Sequence, residues 1–480
     1  MPIVAKIIPE TGKERRGITI GKFLKKGSMK GLSKTLQTGQ PGSPKKRSDR
    51  EKVQDFQRKL YIKAKQEKGF KFYILYDKVR QDYFLREGYR RVKANGGAPG
   101  IDGVNFEQIE AQGLAGFLEE IKKELESHTY KPSMVKRVYI PKANGKLRPL
   151  GIPTIKDRIV QMSCKMVIEP IFEADFEDCS YGFRPKRSAK DAIKAIRGHL
   201  QSERTKVLDA DLSSYFDTIP HDKLIIVLKE RIADRNILQL IKMWLKSPVR
   251  EGNQTKGGKK NKYGTPQGGV ISPLLANIYL NLIDRIVNKC SGEFRKAGIY
   301  IVRYADDFVL MGRKLTEEKL GKIEKLFERM ELKLNKEKTR MIDVRKDEFN
   351  FLGFTIRSER CKYVEGRRYW NISPSRKSEK KLRQMIKEYL MPRGHIPIDI
   401  VVGGLNLKIK GWMNYYNIKN VTYVNKPAFR LRHYLGYRLY KHFSRQSQRG
   451  NKHYGYDAYD KLVKYKGLID VVTYAYGSKM

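Results

Sequence analysis

IYIVRYADDFVLM, residues Ile299–Met311, is an apolar strand, an abrupt acidic corner at Ala305-Asp306-Asp307, and a second apolar strand over Phe308–Met311. Two adjacent carboxylates between runs patterned for burial repel each other and lose hydration, a cost on the order of several kcal/mol. A divalent cation removes that cost. Mg²⁺ suits such hard oxygen ligands, taking one or two protein carboxylates and completing its octahedron with water and substrate phosphates. An exposed hairpin turn carrying two acids accounts for the pair equally well when it is read alone.

A third acid separates the two readings. KVLDADLSSYFDTI, Lys206–Ile219, is another short apolar strand that runs into Asp209 and Asp211 and then an aromatic pair, Tyr215-Phe216. One carboxylate from this strand beside the Asp306-Asp307 corner makes a site for two metal ions, one activating the attacking oxygen and one supporting a leaving pyrophosphate. Asp209 and Asp211 are rivals for that place, because residues two apart on a strand point to one face.

Here the chain resembles the reverse transcriptases, with Tyr304-Ala305-Asp306-Asp307 as their signature box. Ser180–Pro185 (SYGFRP), Gly264–Gly269 (GTPQGG) followed by Val270–Pro273, and Phe351–Phe354 (FLGF) occur in the order of the group II intron-type enzymes, and the resemblance runs from about Gly97 to Tyr440. It implies an α+β fold: a right-hand polymerase with fingers and palm built on antiparallel sheet, then an all-helical thumb, or X domain. It also implies an RNA-directed DNA polymerase that uses two Mg²⁺ ions on Asp211, Asp306 and Asp307. Asp211 is preferred over Asp209 because the family measures its aromatic spacing from that acid, with Phe216 placed under the sugar to exclude a 2′-hydroxyl. By the same resemblance Lys142 and Arg148 hold the nucleotide's phosphates and Gln267 packs beside its sugar. Phe183, Arg184, Lys338 and the Leu352-Gly353 primer grip contact nucleic acid. A packing role fits Phe183 equally well, and a basic hairpin such as Val135–Pro153 is by itself usually a solvated edge.

Composition points the same way. Lys and Arg number 100 against 52 Asp and Glu, a net charge of +48, which calls for a polyanionic partner. At 480 residues and 40% hydrophobic, the chain is also long and apolar enough for several cores, unlike a purely basic binding protein. Cys164, Cys179, Cys290 and Cys361 are too dispersed for a zinc pattern and too few for a disulfide framework, so reduced thiols in a cytoplasm are expected. No run is long enough for a membrane span.

In chain order, residues 1–69 form a basic N-terminal extension; the first 70 residues hold 19 Lys/Arg against 6 Asp/Glu and end in helical spacing over Glu51–Gly69. Fingers with an N-terminal insertion occupy 70–205, where Ala94–Gly103 is a Gly-rich loop that also fits an ordinary connector. A helix over Asp157–Phe176 carries Arg158 opposite its apolar stripe. The palm is 206–358, with a basic loop at Arg250–Lys262 and helices over Ile271–Asn288 and Thr316–Leu332. The thumb is 371–443, opening with a Ser-x-x-x-Glu helix start at Ser375, and 444–480 is a basic, Tyr-rich tail. Residues 371–480 carry 22 Lys/Arg against 6 Asp/Glu, and twelve tyrosines lie between Tyr415 and Tyr476, a mixture suited to structured RNA.

The expected partners are therefore a structured group II intron RNA, an RNA template with a DNA primer, dNTPs and target DNA; the expected activities are cDNA synthesis for retrohoming and assistance to splicing. No His/Cys cluster of endonuclease type follows the thumb, so mobility is expected to rely on RNA or on existing DNA ends. A domesticated relative serving diversity generation, defence or repair is the alternative. A non-enzymatic splicing chaperone would have no need of three costly acids.

Overall fold

The computed structural model describes residues 47–141, 145, 147–258, 260–265, 268–361, 363–392, 396–444 and 455–477. They divide into two compact units, each assembled from separate stretches of the chain.

The first unit comprises the residues up to Phe176 together with 214–280 and 329–331. Its centre is the helix Ile155–Glu173, buried on nearly every side and flanked by the helices Asp49–Gln66 and Asp82–Asn95. Thr154 caps it by accepting from Asp157 N–H, and buried Asp157 in turn accepts from Tyr130 Oη at 2.7 Å. Arg158, expected on an exposed face, is 6% exposed; its Nε donates to Pro153 O at 2.9 Å and its Nη2 to Ala98 O, which ties down the Gly-rich loop. Gly100 in that loop packs so closely on Thr154 that an added Cβ would sit 2.6 Å from its Cα, so the loop is a fitted segment.

A four-stranded sheet completes this unit, in the order Leu147–Ile152, Val135–Pro141, Val249–Glu251, Gln254–Lys256. The expected hairpin over Val135–Pro153 is present, with Ile140 opposite Arg148. The expected basic loop is partly a second hairpin, added to the sheet by parallel pairing of Val135 with Val249. Propensity alone does not reveal such a strand, because Val249–Glu251 has three residues and gains its place from the neighbour.

The second unit comprises 177–213, 281–328 and 332–480. An antiparallel sheet runs Tyr300–Tyr304, Asp307–Gly312, Lys206–Ala210, Arg340–Asp343, and a smaller one runs Arg368–Pro374, Phe354–Arg360, Phe349–Phe351. Both sheets and the helices Arg376–Leu390, Ile398–Tyr416 and Asn425–Ser444 bury one continuous apolar core, from Val207 and Val309 through Ile356 and Ile386 to Leu435. Within 444–480 the structure departs from a tail: Ala458–Lys466 and Val471–Tyr476 are helices, and Ala458, Leu462 and Val471 are fully buried in that core. Charge and tyrosine content mask their short apolar faces. Ser375 caps its helix as expected, accepting from Ser378 N–H, whereas Glu379 is turned to an ion pair with Arg430 of the next-but-one helix.

Among the described residues no helix is long and apolar enough to cross a membrane, and all four cysteines are free.

Candidate active site

The corner at residues 305–306 is a two-residue hairpin loop: Tyr304 pairs with Asp307, and Ala305 lies at φ +58°. A left-handed alanine costs on the order of 1 kcal/mol, so the surroundings must impose it. Two features do. Arg303 Nη1 donates to Ala305 O at 2.9 Å, and Gly182 lies so close that an added Cβ would be 2.9 Å from the Tyr304 carbonyl carbon. The Ser180–Pro185 stretch is stitched alongside, with Tyr181 N–H donating to Arg303 O at 2.9 Å. Arg303 is 1% exposed, and its guanidinium is neutralised by fully buried Asp284, with Nε 2.9 Å from Oδ1.

Register brings the third acid to this corner. Ala210 pairs with Phe308, so continuing the ladder by one residue sets Asp211 opposite Asp307. Asp211 Oδ2 accepts from Lys338 Nζ at 2.7 Å and Asn335 Nδ2 at 3.4 Å, while Asp211 O accepts from Asn335 N–H at 2.8 Å. Asp307 reaches solvent, yet the protein packed around it and the carboxylates of Asp306, Asp211 and Asp209 push its pKa up to about 6, with Lys338 opposing them. Burial, joined by Asp211, also raises Asp209, against Arg340. Hydrogen bonding to Asp211 holds Lys338 more firmly protonated than an ordinary lysine.

Four carboxylates thus crowd one end of one sheet with negative charge only partly offset. All are hard oxygen donors of the kind a divalent cation takes, and burial together with the neighbouring acids raises Asp307. Among the described residues no group of three or more His, Cys, Asp or Glu is placed so that it could hold a metal ion as it stands.

The remaining expected site residues are placed as follows. Phe216 is half-buried in the short helix Tyr215–Thr218, and its carbonyl accepts from Thr265 N–H at 2.7 Å, which joins it to the start of the Gly264–Gly269 strip. Gln267 and Lys142 lie outside the described residues, and Arg148 is exposed on the edge strand of the first unit's sheet. Phe183 is 53% exposed at φ +55°, available to stack. Arg184 corrects the expectation of a template contact: it is 6% exposed and donates to Ser180 O at 2.8 Å and to Glu177 O, closing its own loop. Lys338, expected on nucleic acid, is held instead by Asp211. Leu352 and Gly353, at φ +50° and +81°, form the turn between two strands; Tyr415 Oη donates to Leu352 O at 3.1 Å, and an added Cβ on Gly353 would lie 2.5 Å from Tyr416 Oη. Sequence reading misses Arg303, Asp284 and Gly182. The signal for the first is a lone arginine inside an otherwise apolar strand.

Residues 140–356 match the family model "Reverse transcriptase (RNA-dependent DNA polymerase)", and residues 379–459 match "Group II intron, maturase-specific domain". Protein YkfC of Escherichia coli (strain K12) is 38% identical over 355 residues, covering 66% of this chain and 91% of that protein. The group II intron-encoded protein LtrA of Lactococcus lactis subsp. cremoris is 44% identical over 184 residues, 37% of this chain and 30% of LtrA. A 91 kDa protein in the cob intron of Schizosaccharomyces pombe is 27% identical over 438 residues, 75% of this chain and 53% of that one.

Proposed function

Because this chain belongs to the group II intron-like reverse transcriptases with a maturase-specific domain, we propose that it is an RNA-directed DNA polymerase that also binds a structured intron RNA and aids its splicing. The single observation that supports the polymerase chemistry most is the convergence of Asp211, Asp306 and Asp307 at one end of one sheet, with Asp307 raised to about 6 by its surroundings and its acidic neighbours.

In this reading Asp211, Asp306 and Asp307 would hold two Mg²⁺ ions. Held there, such ions would supply the acidification of a primer 3′-hydroxyl and the compensation of charge on the leaving pyrophosphate. The carboxylates must be ionised for this, and Lys338 Nζ, 2.7 Å from Asp211 Oδ2, sets a positive charge beside them. Arg148 and Lys142 grip the incoming dNTP's phosphates, Phe216 and Gln267 bound its sugar, Phe183 stacks on template, and the Leu352-Gly353 turn supports the primer. The buried Arg303–Asp284 pair fixes the corner before any substrate arrives, so little ordering remains for the moment of reaction. The maturase role rests on the helices of the matched domain and their interleaved basic and aromatic residues.

Purified full-length protein, given an RNA template, an annealed DNA primer, dNTPs and Mg²⁺, should extend the primer. Extension restricted to DNA templates, or unaffected by chelation of Mg²⁺, would refute this reading.

A further inference from the structure

In the first unit a cavity of about 770 Å³ opens between the helix His221–Leu228, the helix Arg235–Leu245 and the loop at 260–263. Five lysines line it: Lys229, Lys242, Lys246, Lys260 and Lys262. All five are exposed, and none is within ion-pair distance of a carboxylate among the described residues. Two acids also line it. Glu331 is already neutralised by Lys223 at 2.7 Å, which leaves Asp222 facing the five ammoniums. Lys229 and Lys246 follow the ends of their helices and favour the helix dipoles there, but that accounts for neither Lys242 nor the two loop lysines.

A concave surface of one charge sign focuses its field, so this cavity attracts an anion far more strongly than the same lysines spread over a convex face. The lining holds lysines and no arginine. Lysine offers a point charge on a flexible stem, which suits a phosphodiester chain of no fixed geometry better than one rigid, bidentately held phosphate. Tyr263, 49% exposed on the same wall, adds a ring on which a base can stack. His221, also in the wall, donates from its ring to Gly264 O at 2.6 Å and so anchors the loop that carries Lys262 and Tyr263.

We propose that this cavity binds a short single-stranded stretch of RNA, through its phosphates and one stacked base and without regard to sequence. The inference rests on the reading of the chain as an RNA-binding polymerase.

The test uses the full chain with Lys229, Lys246 and Lys262 replaced by Ala, binding measured by anisotropy with a labelled unstructured 12-nucleotide RNA over a range of salt. The affinity should fall at least tenfold, and the log–log salt slope should shrink by about 2, roughly 0.7 for each phosphate no longer neutralised. The corresponding triple Lys→Arg variant should keep wild-type affinity, which separates lost charge from a damaged fold. Tyr263→Ser should weaken binding about fivefold or more with the slope unchanged. An unaltered slope in the Lys→Ala variant overturns the proposal; so does loss of ATP binding by that variant without loss of RNA binding, which would make the cavity a nucleotide pocket. Primer extension by the wild-type protein, run alongside, decides the polymerase reading separately.

Discussion

Arg303 is ion-paired with Asp284 in the interior, Nε to Oδ1 2.9 Å, and the same guanidinium holds the carbonyl of Ala305, the residue before the paired acids. Removing one partner of a buried pair leaves an uncompensated charge and typically costs about 3–5 kcal/mol. Asp284→Asn and Arg303→Met should each destabilise by about that much in denaturant titration. The double change to Leu and Met should recover much of the stability, since replacing both charges removes the desolvation penalty, yet primer extension should stay low because Ala305 has lost its anchor. Recovery of both properties would show that the pair only fills space.

Asp306→Asn and Asp211→Asn should each remove several kcal/mol of transition-state stabilisation, roughly a thousandfold in extension rate. RNA affinity should be nearly unchanged, because binding of phosphates draws on the basic surface. Extension by either variant at the ordinary rate would sink the assignment of these acids.

Gly182→Ala tests the corner from its other side. The new Cβ would meet the backbone of Tyr304 and Ala305, which cannot yield as a flexible side chain could. Overpacking of this kind costs about 1–3 kcal/mol. The expected result is a lower melting temperature together with a larger loss of extension than of RNA binding; a variant with wild-type extension would mean the corner tolerates displacement.

How much of the fold and site is legible in the sequence depends on the range of the signal. The acid hairpin, the Asp211 strand and the long helices are readable, because period and spacing lie within a few residues. The pairing of Lys338 with Asp211 joins residues 127 apart, and no local pattern marks it. Arg184 misleads because a basic residue in an RNA-binding chain suggests phosphate, whereas the carbonyls of Glu177 and Ser180 in its own loop claim its donors. The helices at Ala458–Lys466 and Val471–Tyr476 are short, and their stability comes from the core they enter rather than from propensity.

Phe216→Val should open the space assigned to the nucleotide's sugar. Its backbone is fixed by the bond from Thr265 N–H and by the short helix, so the ring can be shortened without moving the chain. Incorporation of rNTPs relative to dNTPs should rise at least tenfold, read from kcat/KM for each. Unchanged discrimination would place the gate elsewhere.

The basic N-terminal extension tests whether the protein is more than a polymerase, and the structure sets where it can be cut. Deleting through Gly69 would remove the helix Asp49–Gln66, whose Val53 and Ala64 are fully buried and whose Gln57 donates to Met166 O at 2.8 Å. Residues 1–46 carry 11 Lys/Arg against 2 Asp/Glu and can be removed without touching that helix. Binding through phosphates releases counterions, with a log–log salt slope of about −0.7 to −0.9 per phosphate neutralised. If the arm grips a structured intron RNA, its deletion should reduce the slope by several units and weaken intron binding at least tenfold. Extension on a short unstructured template should be spared, because the acids and the nucleotide-site residues lie between Lys142 and Lys338. Gel-shift titrations on intron RNA and extension assays on the same preparation separate the two effects. Equal losses on structured and unstructured RNA would make the arm a general electrostatic tether and withdraw its support for maturase function.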